Sequence, residues 1–197
     1  STAAPTVFRD LVVIGTSEPR GSEGGPANRT PRGGTASGPE ASPNAAAPQA
    51  ATGCVAIRLG GTGDISETHV VWRAEKGACG YASPVVSTGC VYFVNRVGGL
   101  QCVELETGKL LWQQRLPGQV WASPVAHAGQ VTFFGKDGAI ITIPAGTENP
   151  EWAESSLSAT DVVYGVAAVQ NSWLIRTGRG LLRISAGGDA ASSGPAQ

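Results

Sequence analysis

At 197 residues, 41% of them hydrophobic, the chain carries enough apolar side chains for a folded domain with its own core. Its 14 Lys and Arg nearly balance 15 Asp and Glu, and a formal charge of −1 offers no electrostatic footprint for nucleic acid or an acidic membrane face. No apolar run approaches the roughly 20 residues that span a bilayer. The start, Ser1-Thr2-Ala3-Ala4-Pro5, has neither an initiator Met nor a signal-peptide core, as expected of a processed or truncated piece.

In chain order, short strand-like runs separated by turn residues predict four similar units. In the first, Ala4-Pro5-Thr6-Val7, Leu11 to Ile14, Cys54 to Leu59 and Val70 to Arg73 read as four strands. Glu18 to Thr52, dominated by Gly, Pro, Ala, Ser and Thr, interrupts them and reads as a mobile, low-complexity surface insertion (about 18–52). Gly60-Gly61-Thr62-Gly63-Asp64 lengthens a later turn. The second unit is the clearest, with strands at Ala82 to Val86, Cys90 to Val94, Leu100 to Leu105 and Leu110 to Gln114. Gly89, Gly98-Gly99 and Glu106-Thr107-Gly108-Lys109 punctuate it, Gly supplying the positive φ that tight hairpins require. The third unit has Ala122 to Ala126, Gln130 to Phe134 and Ala139 to Ile143, joined by Lys136-Asp137-Gly138, then a degenerate outer strand around Trp152. The fourth begins near Tyr164, continues through Ser172 to Arg176 and Leu181 to Ser185, and stops one strand short. Residues 186–197 lack large apolar groups and read as a disordered tail behind the blades of residues 1–185.

Two landmarks keep one register. Trp72, Trp112 and Trp152 return at a 40-residue step, and Ala82-Ser83-Pro84-Val85 recurs as Ala122-Ser123-Pro124-Val125 at the same step. A fixed period of this size, built of four short strands, is the signature of a propeller blade. The expected fold is all-β, a β-propeller of four-stranded antiparallel blades with about four blades present. A closed propeller leaves no blade edge unpaired, and the last unit lacks its outer strand. The chain is therefore expected to be the C-terminal part of a larger ring.

The stretch Cys102-Val103-Glu104-Leu105-Glu106-Thr107-Gly108-Lys109-Leu110-Leu111-Trp112 resembles the Ala-x-Asp-x-x-Thr-Gly-Lys-x-x-Trp repeat of pyrroloquinoline-quinone-like (quinoprotein-like) propellers. That group holds quinoprotein alcohol dehydrogenases and the periplasmic propeller lipoprotein of outer-membrane β-barrel assembly. Cys102 stands for the usual Ala and Glu104 for the usual Asp, and Gly is absent four residues before Trp72 and Trp152. The resemblance implies that Trp72, Trp112 and Trp152 dock between blades over a neighbour's Thr-Gly turn, with Glu104, Thr107 and Gly108 as the other structural residues of the repeat. An indole buries a large area and needs a partner for its N–H, while Gly lets backbone approach its face. The resemblance also implies a ring of seven or eight blades, with the remaining blades upstream, and a bacterial, periplasmic or envelope-associated protein.

No catalytic, cofactor-binding or metal-binding residue is assigned. Quinoprotein dehydrogenases hold their cofactor with an adjacent-cysteine disulfide, an aromatic floor, a calcium site and an Asp base. Here no Cys-Cys pair occurs, and Asp10, Asp64, Asp137 and Asp161 fall in predicted turns or unit junctions, so neither the quinone nor calcium is expected to bind. Cys54, Cys79, Cys90 and Cys102 have no C-x-x-C spacing and read as small buried hydrophobes, with a disulfide such as Cys90 to Cys102 as the alternative. Gly60 to Asp64 lacks the Lys of a phosphate-binding loop, and His69 and His127 have no nucleophile or carboxylate partner at a recognisable spacing. Arg176, Arg179 and Arg183 read as a solvated rim, and Asn28-Arg29-Thr30 is a common triplet. Trp121 and Trp173 fall outside the register of the other tryptophans, either filling gaps between blades or anchoring a binding groove. The expected function is a non-catalytic scaffold or protein-interaction module that meets protein partners through its rim loops. A fragment of a quinoprotein (PQQ-dependent) dehydrogenase, its cofactor site upstream, is the alternative.

Overall fold

The computed structural model describes residues 3–15, 53–74, 79–157 and 161–185. The expected insertion at 18–52 and tail at 186–197 lie outside the described residues. Four antiparallel sheets follow one another in sequence and are arranged as a four-bladed β-propeller. Blade 1 comprises β1 (Thr6–Phe8), β2 (Leu11–Gly15), β3 (Cys54–Arg58) and β4 (Val70–Arg73). Blade 2 comprises β5 (Val85–Ser87), β6 (Cys90–Val94), β7 (Gly99–Glu104) and β8 (Leu110–Arg115). Blade 3 comprises β9 (Val125–His127), β10 (Gln130–Phe134), β11 (Ala139–Pro144) and β12 (Ala153–Ser156). Blade 4 is a three-stranded sheet of β13 (Val163–Val169), β14 (Ser172–Thr177) and β15 (Leu181–Ser185). Among the described residues no helix is long and apolar enough to cross a membrane.

One turn recurs at the same place in every blade. The loop between first and second strands has two residues, and its first residue has positive φ: Arg9 at 55°, Thr88 at 47°, Ala128 at 48° and Gln170 at 52°. Gly89 and Gly129 follow at 75° and 73°, which makes those two turns of the mirror-image kind whose twist matches the flanking strands. The first strands of blades 2 and 3 begin three residues later than the sequence suggests, at Val85 and Val125, just past a proline that has no N–H to give a ladder. The residues ahead of the proline bond between blades instead. Ser83 N–H donates to Ser123 Oγ at 2.9 Å, and Ala4 N–H donates to Ser83 Oγ at 2.9 Å. The Ala-Ser-Pro-Val repeat is thus a chain of serines, each accepting from the backbone of the preceding blade.

Alternation along the second strands builds the core. In β6 every side chain is buried, Val91 and Phe93 toward blade 1 and Cys90, Tyr92 and Val94 toward blade 3. In β10, Val131 and Phe133 join the blade 2 cluster while Phe134 packs against Val163 and Ile175 of blade 4. Thr132 is a buried polar residue within β10, and its hydroxyl pairs with that of Thr142 at 3.1 Å.

Tryptophans lock the seams from outside. Trp72 of blade 1 is buried, donates Nε1–H to Leu105 O of blade 2 at 2.7 Å, and meets Phe93 edge-on at 6.4 Å between centroids. Its ring lies over Gly108, where φ is 70° and a Cβ would come within 2.5 to 2.7 Å of Trp72 ring carbons. Glu104 accepts from the Thr107 hydroxyl, and Thr107 Oγ1 accepts from Lys109 N–H at 3.2 Å, which holds the Gly108 turn in shape. Trp112 repeats the dock on blade 3 with different chemistry, donating to Gly146 O at 3.3 Å. Tyr92 donates to the same carbonyl at 3.4 Å and accepts from Gly146 N–H at 2.8 Å. In both blades a small residue sits opposite the indole, Ala56 across from Trp72 and Cys102 across from Trp112, with a bulge directly after it.

These seams predict a graded response to substitution. Trp112→Ala should cost about 3–5 kcal/mol, the usual penalty for truncating a buried aromatic. Gly108→Ala should lose about 1–3 kcal/mol from the left-handed backbone alone, with the Trp72 clash in addition. Gly146→Ala should stay within about 0.5 kcal/mol of the parent, because the added Cβ meets nothing within 4 Å. Urea unfolding of the three variants checks this order.

Burial raises the Tyr92 hydroxyl and the Cys102 thiol well above their ordinary values of 10.0 and 9.0. The unfolded chain therefore releases these protons first, so stability is intact below pH about 9 and is lost as pH climbs further. The urea midpoint should fall between about pH 8 and pH 10.5. Cys102→Ala should flatten that fall.

Candidate functional site

The residues singled out by the repeat are distributed along the blade seams and converge on no common site. Trp72, Glu104, Thr107 and Gly108 meet at the junction of blades 1 and 2, and Trp112 lies at the junction of blades 2 and 3. Trp152 stands apart. It is 39% exposed and immediately precedes β12, and the turn that would follow β15 lies outside the described residues. Gly60 to Asp64 forms the turn after β3, in which the Asp64 carboxylate accepts from Ser66 N–H at 3.0 Å and is thereby held below its usual range. His69 bonds the neighbouring Thr68 hydroxyl at 2.7 Å, and His127 is exposed at the end of β9. Arg183 donates to Ser172 Oγ at 3.1 Å within its own blade. Among the described residues no group of three or more His, Cys, Asp or Glu could hold a metal ion.

Trp173 fills the gap between blades 3 and 4, edge-on to Phe134 at 5.6 Å. Trp121 does something else. It lies in a row of aromatics on the rim, 5.6 Å from Tyr81 and 6.1 Å from Tyr164 between ring centroids, contributed by the lead-in to blade 2, the lead-in to blade 3 and β13 of blade 4. Tyr81 is 41% exposed and Tyr164 48%, while Trp121 between them is half-buried. Lys136, from the β10–β11 turn, places Nζ 4.4 Å above the Trp121 ring, within cation–π range.

Backbone bonds hold this row in position. Val120 N–H donates to Arg96 O at 3.2 Å, Lys136 N–H to Gln119 O at 2.7 Å and Val163 N–H to Lys136 O at 3.2 Å. The lead-in segments are therefore stitched to the neighbouring β6–β7 and β10–β11 turns, so the rings sit on fixed backbone. Gly178 leaves room beside blade 4 for the Asp161 carboxyl, whose Oδ1 accepts from Val162 N–H at 2.7 Å. Asp161 Oδ2 and Trp121 Nε1 are buried and have no hydrogen-bond partner among the described residues. The row joins partly exposed π-faces and a cation, a composition suited to holding another protein's side chains. A signal for it was present in the sequence: Tyr81 and Trp121 both directly precede Ala-Ser-Pro-Val and are themselves 40 residues apart.

The family described as outer membrane protein assembly factor BamB matches residues 63–188. BamB from Moraxella catarrhalis superposes with a TM-score of 0.58 at 10% identity, over 92% of this chain and 41% of that one. The computationally designed Ika4 protein superposes at 0.59 with 12% identity, covering 95% of this chain and 92% of its own. The designed Ika8 protein gives 0.58 and 11%, over 94% of this chain and 46% of its own. At such identities the superpositions speak for the fold alone. No curated protein matches the chain. The family match runs through three blades and well over half the sequence, and its Trp-bearing repeat is the element that closes the seams: this chain belongs to the outer membrane protein assembly factor BamB family of pyrroloquinoline-quinone-like propellers.

Proposed function

We propose that this chain is a non-catalytic propeller scaffold that binds a protein partner through the rim carrying Tyr81, Trp121, Tyr164 and Lys136. The observation that carries the reading is the exposed aromatic row on hydrogen-bonded lead-in segments. Aromatic side chains on fixed backbone lose little freedom on binding and dominate interface energetics. The family's naming for outer membrane protein assembly supports a bacterial envelope setting, where a partner protein is the natural ligand. We further infer that the four units work within a larger ring. The chain spans 41% of the length of the Moraxella BamB, and β15 presents an outer edge with Leu181, Leu182 and Ile184 exposed.

A Tyr81→Ala/Tyr164→Ala double variant should keep the far-ultraviolet spectrum of the parent and melt within a few degrees of it, since both rings lie at the surface, 41% and 48% exposed, outside the blade-to-blade core clusters. Its affinity for a partner bound by the parent protein should fall at least tenfold, on the order of the loss of one interface hot spot. Retention of parental affinity overturns the rim assignment. Micromolar binding of pyrroloquinoline quinone with calcium, accompanied by dye reduction, overturns the scaffold reading in favour of a dehydrogenase fragment. Light scattering of the isolated chain should show self-association, and a stable monomer at micromolar concentration would show that four units suffice.

A further inference from the structure

Cys54 and Cys79, 25 residues apart in sequence, place their Sγ atoms 3.2 Å apart, closer than two sulfurs in ordinary van der Waals contact. Both are buried. Cys54 opens β3 and pairs with Gly15 across the β2–β3 ladder. Cys79 comes from the segment that joins blade 1 to blade 2, and its side chain occupies the space where a Gly15 side chain would be. A Cβ on Gly15 would fall 2.5 Å from Cys79 Cβ. The next residue already belongs to blade 2, Gly80 N–H donating to Val94 O of β6 at 3.5 Å. The two thiols therefore face each other across the joint between two blades.

We propose that Cys54 and Cys79 form a disulfide that staples the third strand of blade 1 to the lead-in of blade 2. The sulfurs need move only about 1.2 Å toward each other to reach bonding distance. The competing pair is worse placed. Cys90 lies opposite Glu104 and Cys102 opposite Tyr92, so those two cysteines are diagonal neighbours on β6 and β7. The Cys90 and Cys102 side chains do interact, but diagonal backbone positions stand roughly 7–8 Å apart, beyond the Cα span a disulfide tolerates without backbone movement.

The reaction is thiol–disulfide exchange with an oxidant of the disulfide class, either a small-molecule disulfide or an oxidoreductase disulfide. One cysteine thiolate attacks the oxidant's sulfur and releases its partner thiolate, which takes up a proton. The second cysteine thiolate then attacks the mixed disulfide, forming the Cys54–Cys79 bond and releasing the remaining thiol. Two thiols of the chain are oxidised and one oxidant disulfide is reduced to two thiols. Because both sulfurs are buried in the folded state, exchange belongs to the folding chain or to an opened joint. Once the seam closes the bond is shielded from reductant.

The test refolds the purified 197-residue chain from the reduced, denatured state, once with oxidised and reduced glutathione and once with dithiothreitol alone. After refolding in the glutathione buffer, alkylation under denaturing conditions should label two cysteines, Cys90 and Cys102, instead of four. Peptide mapping with trypsin plus chymotrypsin should join the Cys54 and Cys79 peptides. The oxidised form should melt higher by about 5–10 °C, as expected for a loop of this size closed in a chain of this length. Four labelled cysteines, stable glutathione adducts in place of a cross-link, or a cross-link confined to Cys90 and Cys102 would each overturn the proposal. The outcome is read on the parent protein, so it does not depend on any variant folding and is independent of the partner-binding reading above.

Discussion

A strand such as Cys90–Val94, buried on both faces, cannot exist alone, because each side of it needs an apolar wall. Odd residues look toward blade 1 and even residues toward blade 3, so the strand defines where two neighbouring sheets must stand. The same demand recurs at β10, whose faces are covered by blades 2 and 4. Stacked sheets of this kind have no core within a single blade. The hydrophobic free energy is collected between blades, and the fold is stable only as a series.

Everything at the periphery answers to that constraint. The tryptophans close the outer ends of the seams, one over a glycine with a left-handed backbone and one on a carbonyl that also bonds Tyr92. The serines of Ala-Ser-Pro-Val tie the lead-ins together near the inner strands. The contact between Cys54 and Cys79 belongs to the same class of cross-blade connection, and it fits because Gly15 has no side chain. With apolar side chains committed to the seams, the aromatics left at the rim are free to face outward, and Tyr81 and Tyr164 do so on either side of the half-buried Trp121, on backbone that is already hydrogen-bonded.

The likeness to BamB and to designed propellers at 10 to 12% identity has a physical basis. A blade asks for alternation, two-residue turns and a large ring at the seam, and many sequences satisfy those requirements. Blade 3 illustrates the tolerance. It lacks the Thr-Gly turn of blade 2, and its Gly146 peptide still receives Trp112.

Strand content and blade boundaries were legible in the amino-acid sequence because alternation and turn residues act locally. Cys90–Val94, Gln130–Phe134, Leu181–Ser185 and Val70–Arg73 stand where the pattern places them, and among the described residues the last blade has three strands. The 40-residue step marked the blade-to-blade repeat for the same reason, since a copied unit copies its seam residues. The rim could not be read that way. Tyr164 has no counterpart at the position of Tyr81 and Trp121, and it joins them only because blade 4 is stitched through Val163 to the Lys136 turn. Nor did spacing reveal which cysteines meet. Cys90 and Cys102 interact from diagonal positions on adjacent strands, and Cys54 and Cys79, which lie on different segments, touch as well. Local sequence sets the period of each strand, while register between strands and the space left by a missing side chain at Gly15 are properties of the assembled blades alone.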